Sequence, residues 1–358
     1  MPSATFAAAG DRSGMKPMNR REVLKAGVGS LSTLAAMSSP RLADVANATE
    51  WPTKQIPTDA EWPTKQIRVI VPYAAGSATD LVPRLVFEAV STQIGQDIIV
   101  ENRPGGGTTV GTNAVAKADP DGYTILVHSN ALVTVPAIQA HVPYDPVRDF
   151  SAITPLGNVP LVLVIAPEKN IRSVGQLVVA AKVKPGAMNY AAAGIGTPPH
   201  LTTERFRLAA DFQAQLVPFK GSPEALTEVI TGRVDFYFCP ISVAMPFITE
   251  GKVLALAVSG AKRAAALPDV PTTLEAGFPN SDFDFWVGAF VPKATPRDIV
   301  AKLHRETVKG IENPLIKEKL AKIGVESMVL TPDEFDARIA KEASIAVALA
   351  KAANIPMQ

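Results

Sequence analysis

From Ile67 onward, short apolar runs alternate with longer stretches whose apolar positions recur every three or four residues. The short runs read as buried strands and the longer stretches as amphipathic helices, because side chains return to one face with period 2 in a strand and 3.6 in a helix. The first series predicts strands over 67–72, 97–101 and 123–128. Between them it predicts helices over 80–93, with Leu81, Leu85, Val86 and Val90 on one face, and over 108–118. Another strand, 161–166, follows a loop containing Pro143-Tyr144-Asp145-Pro146. A second series then begins, with helices over 174–182, 198–210, 223–231 and 243–250 between strands at 189–192, 215–218, 234–238 and 253–258. The chain closes with a strand at 284–291 and helices near 298–312 and 314–323. A last helix is capped by Thr331-Pro332-Asp333-Glu334 and runs towards Ala352.

Strands alternating with helices mark an α/β fold with largely parallel sheets. A chain of 358 residues is long for one core and points to about two domains. Two architectures fit the pattern: one large doubly wound sheet, or two similar lobes joined by crossover strands. The restart of a full β-α series favours two lobes, with the chain crossing near 161–166 and returning near 284–291. One lobe is then expected from both ends, 65–162 plus 285–358, and the other from the middle, 163–284.

Composition narrows the classes of function. A formal net charge of +1 offers no basic excess for nucleic acid or an anionic membrane. The single cysteine, Cys239, excludes an intrachain disulfide framework and any multi-cysteine metal site. His128, His141, His200 and His304 show no paired metal-ligand spacing, so neither metal nor cofactor is expected. At the N-terminus, Arg20-Arg21 precedes a Gly- and Ser-containing apolar stretch, 26–37, and then Ala46-Asn47-Ala48, a small-x-small cleavage pattern. The stretch is too short to span a bilayer, which takes about 20 residues. It reads as a twin-arginine export signal over 1–48, which predicts a periplasmic protein with no membrane insertion of the mature chain. Cleavage after Ala48 would leave 29 Lys/Arg against 31 Asp/Glu, a net charge of −2, so any affinity for an anion must come from local geometry. Residues 49–64 read as a linker holding a direct repeat: Glu50 to Ile56 recurs as Glu61 to Ile67.

Two strand-to-helix turns carry the strongest chemical signal. In the first, Tyr73-Ala74-Ala75-Gly76-Ser77-Ala78-Thr79-Asp80, small residues let a ligand approach the backbone and Ser77-x-x-Asp80 has capping-box character. Unpaired N–H groups and the helix dipole favour an anion at such a start. The second, Gly194-Ile195-Gly196-Thr197-Pro198-Pro199-His200-Leu201, places Thr197 as N-cap before a proline suited to the first helical position. If the lobes face each other, Ser77–Asp80 and Thr197–His200 are expected to clamp a carboxylate between them, with His200 touching the ligand or serving the fold. Neither turn is a P-loop or a dinucleotide fingerprint. Strand ends add Ser129 and Asn130, Lys220 in a turn capped by Ser222, and Cys239, since ligands of open α/β sheets lie outside the carboxyl ends of strands. No base lies near Cys239 in sequence to activate it as a nucleophile. Gly105-Gly106-Gly107 reads as a tight surface loop.

These residues, with others along the chain, resemble the Bug family, the solute-binding proteins of tripartite tricarboxylate transporters. The family's VPFxAGGxxD signature matches Val71 to Asp80, and its NRPGAGG and PDGYT blocks match Asn102 to Gly107 and Pro120 to Thr124. Further blocks match Gly194 to Leu201, Pro218 to Ser222, and Leu267 to Pro279. The resemblance implies a type II periplasmic binding fold, a Venus flytrap of two mixed, mostly parallel sheets. It also implies a small carboxylate ligand held by Ala75–Asp80 and Gly196–His200, and membrane transporter subunits as partners. Two departures stand out. Ser77 replaces the signature's second glycine, and Cys239-Pro240 stands where many relatives have Asp-Asn. Loss of that Asp argues against an amino-acid ligand and for a dicarboxylate or aromatic carboxylate. The expected protein is a monomeric receptor that closes by a hinge. A periplasmic sensor subunit signalling to a membrane histidine kinase uses the same clamp, and a periplasmic enzyme would need a catalytic constellation that the sequence lacks.

Overall fold

The computed structural model describes residues 62–352 together with Ile355 and Met357. The expected export signal and the first copy of the repeat lie outside the described residues. The second copy is anchored from Trp62 onward: its indole N–H donates to the Asp121 carbonyl (3.1 Å), its ring is buried beside Tyr123, and the Tyr123 hydroxyl accepts the Thr64 N–H (2.8 Å).

In chain order the elements are β1 (Ile67–Val71), α1 (Ala78–Ile94), β2 (Ile98–Asn102), α2 (Thr109–Ala116), β3 (Thr124–Ser129), α3 (Ala131–Thr134), β4 (Phe150–Asn158) and β5 (Leu161–Ile165). There follow α4 (Val174–Val183), β6 (Asn189–Ala192), α5 (Pro198–Ala210), β7 (Gln215–Pro218), α6 (Ser222–Ile230), β8 (Phe236–Pro240), α7 (Ile241–Thr249) and β9 (Leu254–Val258). The chain closes with β10 (Trp286–Pro292), α8 (Arg297–Glu312), α9 (Pro314–Lys322) and α10 (Pro332–Ala352). The Thr331 cap is a reciprocal box, with the Glu334 N–H on Thr331 Oγ1 (3.3 Å) and the Thr331 N–H on Glu334 Oε2 (2.9 Å).

Two five-stranded mixed sheets result, ordered β2-β1-β3-β10-β4 and β7-β6-β8-β5-β9. In each, one strand runs antiparallel to both of its neighbours, β10 in the first and β5 in the second. Each is the strand that arrives from the other sheet, so the chain crosses between lobes after β4 and again before β10. The crossings are tied together: the Val159 N–H donates to Phe285 (2.7 Å) and the Ser259 N–H to Leu161 (2.8 Å).

The pattern of apolar positions did not announce β4 or the short α3. Pro155 and Gly157 interrupt β4, and both are tolerated because it is an edge strand that pairs only with β10, through two register shifts. β8 also begins two residues later than expected, at Phe236.

Each lobe packs its sheet between helices, and β8 divides its side chains by alternation. Phe236 and Phe238 enter one apolar layer, while Tyr237 and Cys239 enter the layer shared with α6 and α7. Phe206 of α5 is fully buried and meets Phe212, Phe238 and Phe278 edge-on at ring separations of 5.5, 5.6 and 5.4 Å. Phe206→Ala should lower unfolding free energy by about 3–5 kcal/mol, the range for a truncated buried aromatic. Urea unfolding followed by circular dichroism would measure it, and a loss under about 1 kcal/mol would contradict this packing.

Candidate functional site

The carboxyl ends of β1, β6 and β7 converge on a cleft of about 570 Å³ between the lobes. One wall is Pro72, Tyr73, Pro104 to Thr108 and Gln139; the other is Ala193 to Ile195 and Pro218 to Lys220. Among the described residues no carboxylate side chain lines it, and Lys220 brings its one charge.

Around this cleft the lobes touch. Thr134 Oγ1 donates to the Gly196 carbonyl, and a Cβ on Gly196 would stand 2.7 Å from Ile138 Cδ1. A Cβ on Gly221 would stand 2.8 Å from Ala74 Cβ, and one on Gly76 3.5 Å from Pro223 Cγ. Thus the element set against the Ala74–Gly76 turn is the start of α6, not that of α5. A chemical reason accompanies the geometry: α5 opens with Pro198-Pro199, which have no N–H, so its first turn is poor in donors for an anion.

Most of the sequence-derived site residues build the loops around the cleft. Asp80 is buried and accepts from the Gly76 N–H (2.8 Å), Asn102 Nδ2 (2.8 Å) and Arg84 Nε (2.9 Å). Burial favours its neutral form, but hydrogen bonds from Arg84, Gly76 and Asn102 outweigh burial and hold the carboxyl below its ordinary value. The expected capping box does not form, since Asp80 accepts from the Gly76 N–H, one residue before the N-cap, and Ser77 makes no cap bond. Ser77 Oγ is buried without a partner, while Ala78 and Thr79 occupy the first helical turn, where N–H groups have no intrahelical acceptor. Ala75 is the exposed tip of this turn.

Thr197 also stands at an N-cap without capping; its hydroxyl donates back to the Gly194 carbonyl (2.7 Å). His200 is buried, stacks on Tyr190, and accepts the Gly196 N–H at Nδ1 (3.0 Å). Burial pushes its pKa down to about 4 against the pull of Glu204, so the ring stays neutral and the acceptor persists at neutral pH. It shapes the Gly194–Thr197 loop and does not line the cleft.

Three further expectations are corrected. Asn130 is committed to the fold, accepting the Trp286 N–H (3.0 Å) and donating to Glu342 (3.1 Å). Cys239 is fully buried in the α6/α7 layer, where burial raises its thiol well above the ordinary range. Its side chain does not reach the cleft, so its replacement of an acidic residue says nothing about the ligand. Ser222 is the first residue of α6, with Gly221 at the cap. Ser129 instead supports the cleft wall, sharing a 2.6 Å hydrogen bond with the Tyr73 hydroxyl and accepting the Ala131 N–H (3.2 Å).

The cleft also uses residues that the sequence reading placed elsewhere. The Gly105–Gly107 turn, expected at the surface, lines it, as does Gln139, whose segment carried no signal. Backbone φ values of 135°, 56° and 64° at the three glycines bring this turn into the left-handed region.

A protein-family model described as tripartite tricarboxylate transporter family receptor matches residues 82–355. A Pseudomonas sp. (strain P51) relative, the UPF0065 protein in the tcbD-tcbE intergenic region, is 36% identical over 265 residues, covering 74% of this chain and 79% of its own. Among solved structures, Rhodopseudomonas palustris Rpa4515 with adipate superposes with TM-score 0.80 at 29% identity, covering 82% of this chain and 99% of its own. MatC of Rhodopseudomonas palustris with bound malate gives 0.75 at 28%, covering 80% and 99%.

Asp80→Asn removes the charge that the Gly76, Arg84 and Asn102 donors share. It should cost about 1.5–3 kcal/mol at neutral pH, the value of a hydrogen bond to a charged group. A carboxyl depressed by folding stabilises above its unfolded value, near 3.8, and loses that contribution as pH falls through the lower folded one. The deficit should therefore be constant from pH 7 to 5 and shrink only below about pH 4 in chemical denaturation. A deficit unchanged at pH 3 would refute the assignment.

Proposed function

The chain belongs to the family of tripartite tricarboxylate transporter receptors, and we propose that it is a periplasmic solute-binding receptor for a small carboxylate, favouring a dicarboxylate. The observation that carries this reading is the cleft: it lies between the lobes and, among the described residues, is lined by Lys220 and by no acidic side chain. An amino acid would leave its ammonium there without a counter-charge, and a buried unpaired charge is costly. The adipate and malate held by the two solved relatives fit the same chemistry. The ligand bridges both lobes and favours closure through interactions that exist only in the closed state. The closed monomer then delivers its cargo to the membrane subunits of the transporter, and a twin-arginine signal over 1–48 exports the chain.

A thermal-shift screen of the purified protein against mono-, di- and tricarboxylates, aromatic acids and amino acids tests the cargo class. At 100 times its dissociation constant a ligand should stabilise by about 2.7 kcal/mol. Shifts confined to amines or sugars would overturn the reading.

Closure has a separate test at Gly221. Its φ of −172° is extended backbone open to any residue, so alanine there adds no local strain, only a methyl directed at Ala74. Gly221→Ala should disfavour this contact between the lobes and weaken ligand binding by about 1–3 kcal/mol, the usual cost of overpacking. Equal affinity in calorimetric titration would exclude closure onto this contact.

A further inference from the structure

Opposite Lys220, the cleft wall is the turn Gly105-Gly106-Gly107-Thr108. Four consecutive residues with positive φ, ending at Thr108 with φ 86°, bend the backbone so that Gly106 and Gly107 donate to no backbone carbonyl among the described residues. Such a run of left-handed residues exposes amides as a concave donor set suited to an oxygen anion. A non-glycine residue held in this region is strained, and Thr108 adds a second irregularity: its hydroxyl is buried, without a hydrogen-bond partner, beside the cleft that the residue lines. Gln139 closes this end, with Nε2 2.7 Å from where a Gly107 Cβ would lie, and the Ile195 carbonyl stands 4.0 Å from the same point. A side chain at Gly107 would fill this corner.

From the other lobe comes Lys220. Among the described residues its ammonium has no carboxylate partner; the nearby Glu224 carboxylate accepts the Lys220 backbone N–H (3.1 Å) and does not line the cleft. Beside this corner the cleft is lined by the apolar side chains of Pro72, Pro104, Ile195 and Phe219. Donors in this corner beside an apolar lining suit one carboxylate of a molecule whose methylenes lie along the apolar side chains.

We propose that Thr108, the Gly106 and Gly107 amides and Lys220 form a second anion anchor, which selects ligands carrying a carboxylate at each end. This rests on the carboxylate-receptor reading and adds the residues that discriminate among acids. The anchor takes donors from both lobes, so it completes itself only on closure and rewards a diacid over the monoacid of equal length.

The test is calorimetric titration of the purified chain with matched pairs: succinate and butyrate, adipate and hexanoate, suberate and octanoate. The parent should prefer the diacid of its best pair at least tenfold. Lys220→Gln and Thr108→Ala should each weaken that diacid about tenfold, the scale of one charge-assisted hydrogen bond, and change the monoacid less than twofold, while Thr108→Ser retains the preference. If Thr108→Ala fails to fold by circular dichroism, Lys220→Gln, altered at an exposed side chain, decides alone. A parent without diacid preference, or a Lys220→Gln variant that loses both acids equally, overturns the second anchor and leaves the receptor reading standing. A parent that binds no acid of any pair overturns both.

Discussion

Everything in this molecule depends on two adjacent passages of the chain between its sheets, bound to each other through the Val159–Phe285 and Ser259–Leu161 backbone hydrogen bonds. Because each passage delivers the antiparallel strand of the sheet it enters, the lobes are joined through an interior strand of each sheet and not through a loose linker. Relative motion of the lobes must be absorbed within a few residues around 158–161 and 283–286. The cleft then opens or shuts along one narrow path, and small groups at its lips decide whether it shuts.

Those lips explain the character of the site. Where the lobes meet around the cleft, Gly221 faces Ala74, Gly76 faces Pro223 and Gly196 faces Ile138, with one hydroxyl bridging to the Gly196 carbonyl. Polar groups nearby are largely spent on one another: Asp80 on Gly76, Asn102 and Arg84, His200 on Gly196, and Ser129 on Tyr73. Such self-satisfied loops are rigid, and rigidity lets unspent donors present themselves without a reorganisation cost. The remaining donors are backbone amides at helix starts and the glycine turn, together with Thr108, Ser77 and Lys220.

The alternation of apolar runs revealed the α/β class and most elements, several to the residue, as with β6 and α5, because buried strands and amphipathic helices carry strong periodic signals. β4 was illegible, since an edge strand tolerates a proline and a glycine that punctuate its sequence. At the site, sequence located the right loops and often misread the side chains. Asp80 and His200 sit in signature blocks because the loops need them as internal acceptors, and nothing in their spacing distinguishes that duty from touching a ligand. Cys239 stands at a strand end facing the cleft in sequence terms, yet the period of two along β8 turns its thiol into the core. Gln139 and the glycine turn reached the cleft only through tertiary placement, which no local pattern encodes.

The strand order has a further consequence for how the chain is made. β10 lies between β3 and β4, so the first sheet stays divided, with β4 unpaired, until residues 286–292 have left the ribosome. By then the middle sheet can already be complete, since β5 to β9 are contiguous in sequence. Vectorial synthesis therefore favours the later lobe maturing first. The earlier lobe waits as an open half-sheet whose closure must bring Val287 to Ser129 across a long stretch of chain, a non-local step of the kind that slows folding and leaves unpaired edges exposed.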